Sequence, residues 1–269
     1  MMKTIYRLTL AVALWLLCLT ETQGQVLHVV MLGDSNTFIG GDACDQPRGW
    51  NKWFKDDFSP ATCRSYARSG ATWTNTATTK RNTLENIGVL GNDNVIYNQI
   101  ERLKDACQQG EQAIPDIIII AAGTNDAWFV NQRPKVFCET ADEVFARENI
   151  NSLPVNEILS LAASVRYGCE LLKASFPEAR IILLTPLQTT KADLKLITKS
   201  GDIMEACAHR LSLEVIRLDQ EGCIQLADKQ SVSRYTTDGV HTNEAGARFN
   251  GLLVAQRVRE MLQQTNKDW

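Results

Sequence analysis

Leu27–Leu32 (LHVVML) runs without interruption into Gly33-Asp34-Ser35-Asn36, and the reading of this stretch governs the reading of the rest. A short apolar, β-branched run stopped by Gly and Asp is the pattern of a buried strand with a tight exit. Gly33 lets the chain turn sharply, so Ser35 falls at the carboxyl end of that strand. In open α/β sheets, that end is where ligands bind.

Four more runs of the same character follow: Thr62–Ala67, Asp116–Ala122 (DIIIIAA), Ala179–Leu184 (ARIILL) and Leu213–Leu218 (LEVIRL). DIIIIAA does not alternate with polar residues, as expected of a strand covered on both faces. The intervals are long enough to hold crossover helices. Asp93–Gln109 places Ile96, Ile100, Leu103 and Cys107 at helical spacing, and Val155–Ser175 does the same with Ile158, Leu161, Val165, Cys169 and Leu172. Asp202–Leu211 and Asn243–Gln264 are two further predicted helices. Alternating strands and helices predict a three-layer α/β/α sandwich around a largely parallel sheet, with its crevice at the carboxyl ends of the strands.

The chain has 269 residues, 44% of them hydrophobic, sufficient for one sizeable core. Its 28 basic and 31 acidic residues give a net charge of −3, which argues against nucleic acid as a partner. Lys3 and Arg7 precede the apolar run Leu8–Leu19, and small residues Thr22 and Gly24 follow. That order reads as a secretory signal peptide over residues 1–24, leaving residues 25–269 as one exported domain, periplasmic or secreted. No later stretch resembles a transmembrane helix, so no stable membrane insertion is expected of the mature protein. Seven cysteines remain beyond Cys18, and none forms a C-x-x-C pair. Structural cysteines are therefore expected rather than a zinc ribbon, with any disulfide pairing left open. Thr72–Asn92 and Asp126–Pro154 read as long functional loops.

Three polar blocks join Ser35 at the same end of the predicted sheet: Ser69-Gly70-Ala71, Gly123-Thr124-Asn125-Asp126 and Asp238-Gly239-Val240-His241. Taken alone, Ser69-Gly70-Ala71 reads as an ordinary turn, Asn125 equally as a helix cap, and Asp238 with His241 equally as a surface pair. Of the three histidines, His28 lies in the first strand and His209 in a helical pattern, which leaves His241 in a loop three residues after Asp238. Together the blocks supply a hydroxyl, an imidazole, an orienting carboxylate and amide donors, the parts needed for acyl transfer. Asp34 is expected to bond within its own turn and Asp126 to cap a helix.

In their order and residues, GDSN around Ser35, SGAT around Gly70, GTND around Asn125 and DGVH ending at His241 resemble the SGNH/GDSL hydrolases over essentially the whole mature chain. The resemblance implies a flavodoxin-like five-stranded parallel sheet ordered 2-1-3-4-5 and an esterase that needs no metal or other cofactor. It makes Ser35, Asp238 and His241 the catalytic residues. The Ser35 and Gly70 backbone N–H groups and the Asn125 side chain become the oxyanion hole. The two long loops exceed the family's minimal core. Trp73 and Trp128 fall near these blocks, where aromatic faces can stack on sugar rings or enclose an acyl chain. With export and Thr/Asn-rich loops, they lean the reading toward deacetylation of a glycan, the expected partner being a small-molecule or glycan ester. Lipase, lysophospholipase or thioesterase activity on the same site is the alternative. A metal-dependent phosphoesterase using Asp34, Asn125 and His241 is weakened by the scarcity of histidines. A non-catalytic carbohydrate-binding module is the remaining rival.

Overall fold

Alternation along the strands sets the layering of the computed structural model, which describes residues 26–84 and 94–265. Strands β1 (His28–Gly33), β2 (Thr62–Ser65), β3 (Ile117–Ala121), β4 (Arg180–Leu184) and β5 (Glu214–Ile216) form one parallel sheet. Their order is β2-β1-β3-β4-β5. Val30, Leu32, Ile118, Ile120, Ile181 and Leu183 point into one buried cluster, while Val29, Met31, Ile117, Ile119, Ile182 and Leu184 point into another. Successive strand side chains face opposite sides, so a strand buried on both faces has to be apolar at every position. The isoleucine run of β3 meets that requirement.

The helices are α1 (Ser35–Phe38), α2 (Trp50–Phe58), α3 (Ile96–Gln108), α4 (Thr124–Trp128), α5 (Ala141–Phe145), α6 (Leu161–Ser175), α7 (Leu194–Leu211), α8 (Leu218–Glu221), α9 (Lys229–Tyr235) and α10 (Glu244–Thr265). On the first face, α3, α6 and α7 cover the sheet with Ile100, Leu103, Val165, Leu172 and Met204. On the second, α2 and α10 pack together and bury Trp50, Phe54, Val254 and Val258. This is the predicted sandwich, with the sheet order that the family resemblance implied.

Several boundaries differ from the sequence reading. The expected helix over Val155–Ser175 begins only at Leu161, because the Ser160 side chain caps it through Ala163 N–H. The helix expected from Asp202 starts earlier, at Leu194, where the Asp193 carboxylate accepts from Lys195 N–H. Asp126–Pro154 is no continuous loop: α4, α5 and short 3₁₀ turns punctuate it, and Thr140 with Glu143 closes a capping box on α5. Helix α2 has no counterpart in the sequence reading, although Trp50, Trp53, Phe54 and Phe58 of WNKWFKDDF stand at helical spacing. The seven described cysteines stand as thiols, five of them buried, where they pack as small apolar groups. The signal-peptide reading of residues 1–24 and the 85–92 portion of the Thr72–Asn92 loop lie outside the described residues. No helix among the described residues is long and apolar enough to cross a membrane.

β2 lies on one side of β1 and β3 on the other, so the chain reverses its direction of winding between β1 and β3. The crevice at their carboxyl ends is the topological switch point, and Gly33 and Ala121 are the last paired residues beside it.

Candidate active site

β2 pairs with β1 only as far as Met31↔Ser65, which leaves the end of β1 without a neighbouring strand on that side. The buried Gln99 side chain of α3 takes that place: its Oε1 accepts from Gly33 N–H at 2.8 Å, and its Nε2 donates to Gly33 C=O at 2.9 Å. A Cβ on Gly33 would meet the Ala121 carbonyl oxygen at 2.5 Å, so the close approach of β1 to β3 requires glycine here. Asp34 N–H then donates to Ala121 C=O at 3.0 Å, and the Asp34 carboxylate caps α1 by accepting from Asn36 N–H at 3.1 Å. Ser35 is therefore the first helical residue, held in place by bonds on both sides and only 8% exposed.

The fourth block comes from a loop 206 residues further along the chain. His241 Nε2 lies 3.0 Å from Ser35 Oγ, and His241 Nδ1 lies 2.7 Å from Asp238 Oδ2. Asp238 Oδ1 also accepts from the Val240 and His241 backbone N–H groups, at 3.0 and 2.8 Å. Burial acts to raise the Asp238 carboxyl, but the bonds from the His241 ring and the two amides outweigh it and hold the group at about 2. An ionised carboxylate only accepts, so Nδ1 must carry the ring proton, and Nε2 is left to accept from the Ser35 hydroxyl. Asn36 fastens this loop to α1: its Nδ2 donates to Val240 C=O at 3.1 Å and its Oδ1 accepts from Thr242 N–H at 3.1 Å. Thr190 N–H and Thr189 Oγ1 hold Gly239 C=O from the opposite side, at 3.0 and 2.8 Å.

Gly70 has φ +75°, a left-handed conformation that glycine adopts without strain. Its N–H and that of Ser35 have no acceptor among the described residues. The Asn125 side chain donates to Ala71 C=O at 2.8 Å, which spends one of its two N–H groups. Asp126 does not cap a helix as expected. Its fully buried carboxylate accepts from Trp73 N–H and Thr74 N–H at 2.9 Å each and from Thr74 Oγ1 at 2.7 Å. Three convergent donors outcompete a cap, and the outcome is that α4 holds the segment following Gly70.

Trp73 does not fill the role given it as a sugar platform. It is 1% exposed and packs in the core against Ile100 and Gly168, so neither ring face is open to a ligand. Trp128 is only half-buried and stacks on Phe129 with ring centroids 5.2 Å apart. His28 bonds through Nδ1 to Thr62 Oγ1 at 2.9 Å and His209 sits in α7, away from the Ser35 cluster.

Asp34 is the group in this cluster whose ionisation works against folding. Burial, opposed by bonds from Asn36 and Thr124, raises its carboxyl to about 6. A folded-state value above the ordinary 3.8 means that the native state holds the proton more tightly. The resulting stabilisation is complete below pH 3.8 and is lost as the pH rises through about 6. Asp34→Asn keeps a capping oxygen and removes the titration. Between pH 4 and 7 the parent should therefore lose up to about 3 kcal/mol of stability relative to the variant. Urea midpoints of both proteins at the two pH values measure this, and parallel pH profiles would contradict it.

Gln99, Asn36 and Asp126 were not assigned these positioning roles from sequence. Gln99 did leave a signal, a polar residue on the apolar stripe of Ile96, Ile100 and Leu103. Asn36 and Asp126 looked like ordinary turn and cap residues, because their partners lie 204 and 53 residues away. Among the described residues, no group of three His, Cys, Asp or Glu side chains comes together to hold a metal ion.

Sheet order and the polar groups gathered at its switch point define a flavodoxin-like α/β protein with a serine–histidine–carboxylate cluster. The chain belongs to the GDSL-like lipase/acylhydrolase family, whose model matches residues 31–249. That membership supports hydrolase activity on esters. Solved structures with a similar fold include a protein from Lactobacillus plantarum, 14% identical, with TM-score 0.58 and coverage of 89% of this chain and 97% of the other. Another is a lipase/acylhydrolase from Enterococcus faecalis, 16% identical, with TM-score 0.52 and coverage of 87% and 97%. No curated protein matches the sequence.

Proposed function

We propose that this protein is an exported serine esterase that removes acyl groups, acetyl above all, from a carbohydrate. The observation that carries the reading is the approach of His241 Nε2 to within 3.0 Å of Ser35 Oγ while Asp238 holds Nδ1 at 2.7 Å. In this mechanism His241 takes the Ser35 proton as Oγ attacks the ester carbonyl, and Asp238 steadies the imidazolium that forms. The Ser35 and Gly70 N–H groups and the second Asn125 N–H receive the developing oxyanion. His241 then protonates the departing alcohol, and water, activated by the same imidazole, releases the acid. A small acyl group fits a site whose serine is 8% exposed, and the half-buried Trp128 offers a ring face near the Asn125 block.

Two measurements test this reading. The purified protein should hydrolyse p-nitrophenyl acetate and release acetate from acetylated oligosaccharides. Asn125→Ala should lower turnover by about 10²–10³ with a smaller change in KM, since the oxyanion exists only beyond the ground state. Turnover of that variant within threefold of the parent would remove Asn125 from the oxyanion hole. Export predicts that the mature chain begins at Gln25, which N-terminal sequencing of secreted or periplasmic protein reads directly.

A further inference from the structure

The segment that follows Gly70 also forms one wall of a second cleft. Asn75 and Thr76 face Gln132, Arg133, Lys135 and Leu159 across a space of ≈ 280 Å³. That volume is close to the lower end of the range for small-ligand sites, roughly 300–1,000 Å³. Arg133 is half-buried here, and its Nη1 donates to Thr74 C=O at 3.0 Å. No carboxylate forms an ion pair with Arg133 or Lys135 among the described residues, and no Asp or Glu lines the cleft. The charge that Arg133 senses is Asp126, whose oxygens are already taken by Trp73 and Thr74. Burial accordingly pushes the Arg133 guanidinium below its ordinary value. A partly desolvated guanidinium with a neutral carbonyl as its partner, beside a lysine and three side chains that bond hydrogen, is chemically suited to an oxyanion.

The wall that carries Asn75 is tied to the candidate active site in two ways. Asn75 is five residues from Gly70, and five residues of fully extended chain span at most about 18 Å. Thr74, next to Asn75, is pinned to Asp126, the neighbour of Asn125. A substrate held by its scissile ester at Ser35 reaches the cleft only if it extends beyond the acyl group, as an oligosaccharide does.

We infer that the cleft of Arg133 and Lys135 is a subsite for an anionic group, a carboxylate or a sulfate, on the glycan whose ester is cleaved at Ser35. The inference rests on the esterase reading for its purpose, but the binding itself does not depend on turnover.

The test therefore uses the Ser35→Ala protein and unacetylated probes: a galacturonate trimer, a sulfated galactose trimer and a neutral galactose trimer, each titrated by calorimetry. One or both anionic trimers should bind about tenfold or more tightly than the neutral one, with affinity that weakens as salt is added. Preference for the uronate identifies the group as a carboxylate, and preference for the sulfated trimer identifies a sulfate. Lys135→Gln and Arg133→Gln, the latter keeping a donor for Thr74, should each remove most of that preference. In the Ser35-containing protein the same substitutions should raise KM for acetylated anionic oligosaccharides and leave p-nitrophenyl acetate hydrolysis unchanged. Equal binding of charged and neutral trimers, or a preference that survives both substitutions, overturns the subsite. Loss of p-nitrophenyl acetate hydrolysis in Ser35→Ala with no anionic preference would leave the esterase standing without it. Anionic preference in a protein that hydrolyses no ester would do the reverse.

Discussion

Ser35→Ala should abolish hydrolysis of p-nitrophenyl acetate, lowering turnover by about 10⁶ while leaving the fold intact. The hydroxyl forms its one side-chain bond with His241, so its removal leaves no fully buried group without a partner, only that half-buried ring edge. The backbone around it depends on other residues: Gln99 on Gly33, Ala121 on Asp34, and the Asp34 carboxylate on Asn36. Thermal midpoint and circular dichroism of the variant should therefore match the parent, which separates lost chemistry from lost structure. Removing His241 as well should cost little more, because proton acceptor and attacking oxygen act as one unit. The donors at Ser35 N–H, Gly70 and Asn125 remain in both variants and account for whatever rate persists above water. Ser35→Ala activity above a hundredth of the parental rate would sink the covalent mechanism.

Asp238→Asn is expected to lower turnover by about 10⁴ near neutral pH, again without unfolding the loop. The substituted amide can keep its oxygen toward the Val240 and His241 N–H groups, the two bonds that shape the turn. Its NH₂ then faces His241 Nδ1 and donates where the carboxylate accepted. The ring answers by carrying its proton on Nε2, the nitrogen directed at Ser35, and a protonated Nε2 cannot take the serine proton. The defect is one of tautomer rather than position. Since the parental carboxyl sits at about 2, the parent should show no loss from Asp238 protonation across the ordinary assay range. Kinetics of the variant on p-nitrophenyl acetate decide the point: a rate within tenfold of the parent would mean that Asp238 does not orient the imidazole.

Strand and helix content was legible because burial on both faces of a parallel sheet demands a distinctive composition. VVML in β1 and IIII in β3 satisfy that demand, and each is followed by Gly at the sheet edge or soon after. Helices α3 and α6 showed themselves by apolar spacing; α2 carries such spacing too, in Trp50, Trp53, Phe54 and Phe58, but over nine residues only, and α10, which covers it, lies nearly two hundred residues away. Ser35, Gly70, Asn125 and His241 stood out because each lies in a polar block at a strand end or in a loop near the last helix, where packing does not call for such residues. Trp73 was misread for the converse reason: a large aromatic near a polar block looks the same in sequence whether it faces the crevice or the core. The Gly168 gap and Ile100 settle it toward the core.

From the amino-acid order alone came the layered α/β architecture and the four blocks of reactive groups, since both are written locally, in runs of a few residues. Only the folded chain decided which polar groups meet. Gln99 closing the end of β1, Asn36 tying the His241 loop to α1, Asp126 holding the segment past Gly70, and Arg133 bonded to Thr74 beside it all depend on partners distant in sequence. A hydrogen bond requires a partner within about 3 Å in space, and the spacing of residues along a chain does not specify that distance until the sheet has brought its strand ends together.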